Sequence, residues 1–254
     1  MRDDEFFIGY APPMPPRLAR YVKGVVVVIG AAVCTWGIVA AAGHVPLEGG
    51  RFEFGHPMSV SGRLVERPYP ALQVDAADHS LSSLVLLVAP GKHGADGLVR
   101  GRSGQRVTVS GTRIQRDAHT MLEVDPASLA ATGSQADAGL KPCATSCLEA
   151  GPEVELTGEI VDSKCFLGVM VPGAGKTHAD CASLCIRGGI PPALRVQDFA
   201  GKPELFLLTL PTGAPIHLEA VDLAGQSISM RGLVSRSGAW LTLRTDPRDW
   251  RTAQ

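Results

Sequence analysis

The chain has 254 residues, a formal net charge of −1 from 24 basic and 25 acidic side chains, and 45 % apolar but only 5 % aromatic residues. That balance supplies no broad basic field for a phosphate backbone and few rings for base stacking, which excludes a dedicated nucleic-acid role. The length allows one large domain or two small ones with a tail. Much of the apolar excess sits in one run near the N-terminus.

Residues 1–20 place Phe6, Phe7, Ile8 and Tyr10 beside four prolines. They read as a stiff, partly apolar cytoplasmic leader suited to docking on a partner subunit or lying at a membrane interface. From Gly24 to Gly43 no charge occurs, so a single transmembrane helix is expected over 21–44. Arg17, Arg20 and Lys23 precede the uncharged run, and the positive-inside bias then puts the N-terminus in the cytoplasm of a single-pass inner-membrane protein whose main part is periplasmic. Ala40 and Ala42 form the A-x-A pattern of a cleaved signal, but the apolar run is long for one and the leader is acidic at Asp3, Asp4 and Glu5.

Beyond the span, period-two alternation predicts strands, and the strands repeat. In residues 51–130, VSGRLVE (60–66), PALQV (70–74), SLVLLVAP (83–90), GQRVTVSG (104–111) and MLEVDP (121–126) follow one another. In residues 153–250 the same order recurs as LTGEIVD (156–162), PALRV (192–196), LFLLTLP (205–211), GQSISMRG (225–232) and LTLRTDP (241–247). The expectation is an all-β architecture of two tandem OB-like small barrels, each of about five strands. Residues 131–152, rich in small and polar side chains, read as a linker that carries Cys143 and Cys147.

The second copy differs from the first by an insertion at residues 163–191, which holds Cys165, His178, Cys181 and Cys185. Thr177 to Asp180 match a capping-box start and Gly188-Gly189 a stop, predicting a short helix. His178, Cys181 and Cys185 would share one of its faces and cover Cys165. Two chemistries fit the residue types. Disulfides between Cys165 and Cys181 or Cys185 would staple the loop in an oxidising compartment. Alternatively Cys165, His178, Cys181 and Cys185 ligate a transition metal ion or haem, with Asp162 orienting His178 or capping the loop. For a single ion, the rise between positions 178 and 185 requires His178 at a frayed helix start. Five cysteines lie outside the span, so they cannot all pair within one chain.

VPGAGKT (171–177) imitates a phosphate-binding loop but has Met170 where the motif needs glycine, so no nucleotide site is expected. No nucleophile elbow or paired-carboxylate signature stands out, which leaves enzymatic activity without a sequence warrant. The segments GEIVDSKC (158–165) and HADCASLCIRGG (178–189) resemble a group of small exported bacterial proteins of uncharacterised function, with a G-x-[IV]-x-D-x-x-C stretch followed by H-x-x-C-x-x-x-C and a glycine. The resemblance implies that Asp162, Cys165, His178, Cys181 and Cys185 are a defining cluster. The overall plan is also loosely similar to the haem chaperone of cytochrome c maturation, though the C-terminal segment TLRTDPRDWRTAQ has no histidine. The sequence therefore predicts a membrane-anchored accessory protein that binds a metal or redox cofactor or supports a membrane oxidoreductase complex. A structural adaptor, with stapling disulfides and barrels that bind protein partners, is the alternative.

Overall fold

The computed structural model describes residues 14–43, 49–74, 81–131 and 151–253. The leader up to residue 13 and the linker cysteines Cys143 and Cys147 lie outside the described residues. Two compact units emerge, one N-terminal and one spanning Glu48–Gln254.

The N-terminal unit is helix α1, Pro16–Ala42. It begins about two turns before the apolar run, with a proline at N1 or N2, where the missing amide hydrogen costs nothing. At about 1.5 Å rise per residue its 27 residues exceed the roughly 30 Å of a hydrocarbon core. None of its residues is buried, and its best window has a mean hydropathy of 2.4. Among the described residues, one helix is thus long and apolar enough to cross a membrane.

In the second unit, strands β1 (Arg51–Val65), β2 (Ala71–Val74), β3 (Leu84–Val88), β4 (Arg106–Arg116) and β5 (His119–Val124) form the first barrel, with helix α2 (Asp96–Val99) between β3 and β4. The neighbours run β1-β2-β3-β5-β4, and β4 pairs back on β1. All pairings are antiparallel except β3 with β5, which is parallel. Strand β1 starts well before the predicted residue 60, and its N-terminal part reaches β4 across a bulge between Phe52 and Pro57. A two-residue strand β6 (Ala130–Ala131) adds to β4.

The second barrel repeats the plan with β7 (Glu153–Asp162), helix α3 (Ala179–Arg187), β8 (Pro192–Phe199), β9 (Lys202–Thr209), helix α4 (Leu218–Val221), β10 (Ser227–Ser237) and β11 (Trp240–Thr245). Here β9 and β11 make the parallel pair, β10 closes on β7, and β12 (Arg251–Thr252) adds to β10. Both are closed five-stranded barrels with OB-like strand order, so the predicted tandem all-β architecture holds.

Two repeated sequence details have local causes. Gly62 and its counterpart Gly158 lie where an added Cβ would stand 2.4 Å from the carbonyl oxygen of Gln73 or Arg195 on the next strand, closer than any side chain tolerates. The repeated Asp-Pro ends each barrel in a 3-10 turn. Asp125 accepts from the amide of Ala127 and Asp246 from that of Arg248, while proline sits at the turn's start.

Three apolar cores hold this unit together. Leu64, Leu72, Val85, Val107 and Leu122 fill the first barrel, and Ile160, Leu194, Phe206, Leu208 and Leu243 the second. A third core joins them, with Tyr69, Leu86, Ile114 and Met121 from one barrel packed against Val161, Leu167, Ile190, Leu205 and Trp240 from the other. Polar contacts lock this seam. The Tyr69 hydroxyl donates to the Leu208 carbonyl and accepts from the Ile216 amide at 3.2 Å, and Trp240 Nε1 donates to Leu84 O at 3.2 Å. The insertion of the second barrel lies in this seam.

Candidate functional site

The insertion leaves β7 at Asp162 and closes at its neck through the Ser163 amide, which donates to Pro191 O at 3.1 Å. A π-helical turn, Cys165–Val169, follows, with Gly168 at φ 146°. Then a 3-10 turn, Lys176–His178, leads into α3. The capping box does not form: His178, not Thr177, stands at the N-cap, and no side chain caps the helix. The imidazole has another partner, because its Nε2 lies 3.0 Å from Asp162 Oδ2. At the far end Gly188 caps α3, Gly189 takes φ 98°, and the Ile190 amide donates to Cys185 O at 3.0 Å.

Asp162 has no exposed surface and both its oxygens are used. Oδ1 accepts from the Cys165 amide at 2.8 Å, which fixes the turn, and Oδ2 meets His178. Occupation of Nε2 by a carboxylate leaves Nδ1 as the nitrogen free to ligate, the arrangement in which outer-shell carboxylates orient metal-binding histidines.

Cys165 and Cys185 are buried and Cys181 half-buried. The ligating atoms of Cys165, His178 and Cys181 lie within 4.8 Å of one another, and so do those of Asp162, Cys165 and Cys185. The expected four-residue Cys/His set is therefore organised as two overlapping triads that share Cys165. The cysteines are unbonded: Cys165 and Cys185 sulfurs are 4.0 Å apart, whereas a disulfide needs about 2 Å. Among the described residues, then, the expected disulfide staple is not present. A separation of 4.0 Å is close to the edge of a tetrahedral thiolate site, about 3.8 Å for metal–sulfur bonds of about 2.3 Å.

The contact between the two buried thiols moves their pKa values in opposite directions. Cys165 is pushed far above the ordinary thiol range, first by its hydrogen bond with Cys185, then by burial and the Asp162 charge. Cys185 is lowered, chiefly as the acceptor in that bond and also by Lys92, against burial and Asp162.

Sequence reasoning missed that the first barrel contributes to the site. Lys92, in the turn after β3, puts Nζ 2.8 Å from Cys181 Sγ and 3.7 Å from Cys185 Sγ. That turn is pinned on α3, since the Gly94 amide donates to Gly188 O at 2.9 Å. A Cβ at Gly188 would fall 1.8 Å from Lys92 O, so the approach requires glycine. Lys164, only 2 % exposed, reaches across the seam to Ala89 O at 2.9 Å, Gly91 O at 2.6 Å and the Glu123 carboxylate. Arg116, from the β4–β5 hairpin, donates to Phe166 O at 2.7 Å and lies over the Phe166 ring. The lysine in GKHGADG (91–97) and the one inside the D-x-x-C stretch were visible as residues, but neither carried a pattern pointing to the other barrel.

The glycine loop ahead of α3 gives no phosphate cradle, because its Gly175 amide donates to Glu159 Oε1 at 2.5 Å. No family model matches the chain, and neither a curated protein nor a solved structure matches it. Fold and site together define a tandem OB-like protein with a Cys/His/Asp cluster held between its barrels and one membrane-length apolar helix.

Proposed function

We propose that this is a membrane-anchored accessory protein that binds a transition metal ion through Cys165, His178, Cys181 and Cys185, with Asp162 orienting the imidazole. The observation that carries the reading is the convergence of Cys165, His178 and Cys181 within 4.8 Å while Asp162 engages the imidazole. Thiolates with one imidazole are a soft to borderline donor set, which selects zinc(II) or copper(I) over magnesium or calcium. Unbonded sulfurs favour ion binding over the stapled adaptor. The positive flank of α1 supports a cytoplasmic N-terminus and an exported pair of barrels, and the resemblance to exported Cys/His proteins agrees with that address. In this reading the ion either serves the protein's own binding role or is presented to a partner oxidoreductase in the membrane.

Elemental analysis of the detergent-purified chain, followed by zinc and copper(I) titration, tests the proposal. About one ion per chain is expected, lost in Cys181→Ser and Cys165→Ser. A metal-free protein that takes up neither ion, or one with these thiols in stable disulfides, would refute it.

A further inference from the structure

Lys92 and Cys181 come from different barrels and approach more closely than an ordinary hydrogen bond brings nitrogen and sulfur. Bonds from N–H to oxygen run about 2.7–3.2 Å, and the larger radius of sulfur lengthens the corresponding contact. The Nζ···Sγ separation of 2.8 Å is what an oxygen acceptor would give, short for a contact to sulfur, and is close to a span bridged by a single oxygen atom. Lys92 is exposed and Cys181 half-buried, so dissolved oxidants and thiol reductants reach the pair from solvent. Cys165 and Cys185, buried behind Cys181, are not comparably accessible.

We infer that Lys92 and Cys181 are a redox modification site, at which dioxygen joins them through a covalent N–O–S bridge between the two barrels. The amine and the thiol each lose one hydrogen, one oxygen atom enters between Nζ and Sγ, and the second leaves with both hydrogens as water. Dioxygen accepts four electrons, two from nitrogen and two from sulfur. Four thiol equivalents reverse the step, yielding amine, thiol, one water and two disulfides of the reductant. The bridge fastens the β3 turn to α3 and withdraws Cys181 from any ligand set, so oxidation would close the site that reduction reopens. This inference goes beyond the metal reading and does not depend on it.

The test is peptide mapping, without reductant, of the metal-stripped full-length protein after exposure to dioxygen. The expected product is a cross-linked pair containing Lys92 and Cys181, heavier by about 14 Da than the two peptides together and separated again by dithiothreitol. Lys92→Arg, which keeps the charge at an exposed position, abolishes the pair, whereas Cys185→Ser retains it. Recovery of Cys181 as a free thiol, as a sulfinic acid beside unmodified Lys92, or in a disulfide with Cys165 or Cys185 overturns the inference. Metal stripping separates the two readings, since it leaves Cys181 without an ion, and the bridge then forms whether or not the protein is able to bind metal.

Discussion

Replacing Asp162 by asparagine changes a single proton position in the site while preserving its shape. The carboxylate accepts from His178 Nε2 at 3.0 Å and from the Cys165 amide at 2.8 Å. Asparagine keeps its carbonyl on the amide but presents an NH2 group to the ring, which drives the imidazole proton to Nδ1 and blocks the nitrogen left for a metal. Outer-shell changes of this kind weaken metal binding about 10- to 100-fold, or about 1.4–2.8 kcal/mol. Both contacts survive in altered form, so stability should fall by less than about 1 kcal/mol. Asp162→Ala is the contrasting variant. It strands a buried backbone amide and a buried ring nitrogen, each costing about 1–3 kcal/mol, and should lower unfolding stability by about 4 kcal/mol. Competition titration with zinc against a chromophoric chelator, paired with urea denaturation, reads both quantities. If Asp162→Asn binds zinc within about twofold of wild type at unchanged stability, the assignment of Nδ1 as the ligand is wrong.

Three further outcomes follow from the seam between the barrels. Lys164→Met removes the donor shared by Ala89 O, Gly91 O and Glu123; it should cost about 3 kcal/mol in urea unfolding, and a loss under about 1 kcal/mol would show the seam held by apolar packing alone. Gly188→Ala drives a Cβ to 1.8 Å from Lys92 O and should cost about 1–3 kcal/mol, whereas Gly97→Ala, whose Cβ meets nothing within 4 Å, should be neutral or slightly stabilising in the same assay. His119, near Glu204 and Trp240, and His217, beside Tyr69, are both lowered from their ordinary 6.5, chiefly by burial. The unfolded chain therefore binds more protons below that value, so their stabilising contribution is complete above about pH 6.5 and declines as pH falls; urea midpoints from about pH 7.5 to about pH 5 measure the slope, which His119→Gln should reduce.

Much of the fold was legible because its causes are local. Alternation marked most strands, and the repeat put Gly62 with Gly158 and Asp125-Pro126 with Asp246-Pro247 at equivalent positions, whose roles in strand approach and in the closing turns the structure supplied. The extent of β1 was less clear, because its N-terminal half pairs across a bulge and lacks an alternating buried face. Within the site, the cluster of Cys165, His178, Cys181 and Cys185 was visible from composition and helical spacing, while the partition into two triads sharing Cys165 was not.

By itself the sequence determined a membrane-length helix, two copies of a five-stranded unit and an insertion carrying the thiols. Each follows from periodicities that act over a few residues, so neighbouring side chains suffice to specify them. Only the tertiary structure decided that the barrels share a core, that Asp162 both holds His178 and fixes the turn at Cys165 where the sequence offered one or the other, and that Lys92 stands against Cys181 although 89 positions separate them along the chain. Those contacts arise when two complete surfaces pack together. Their selection depends on burial and on the satisfaction of buried polar groups across the seam, quantities that no local pattern encodes.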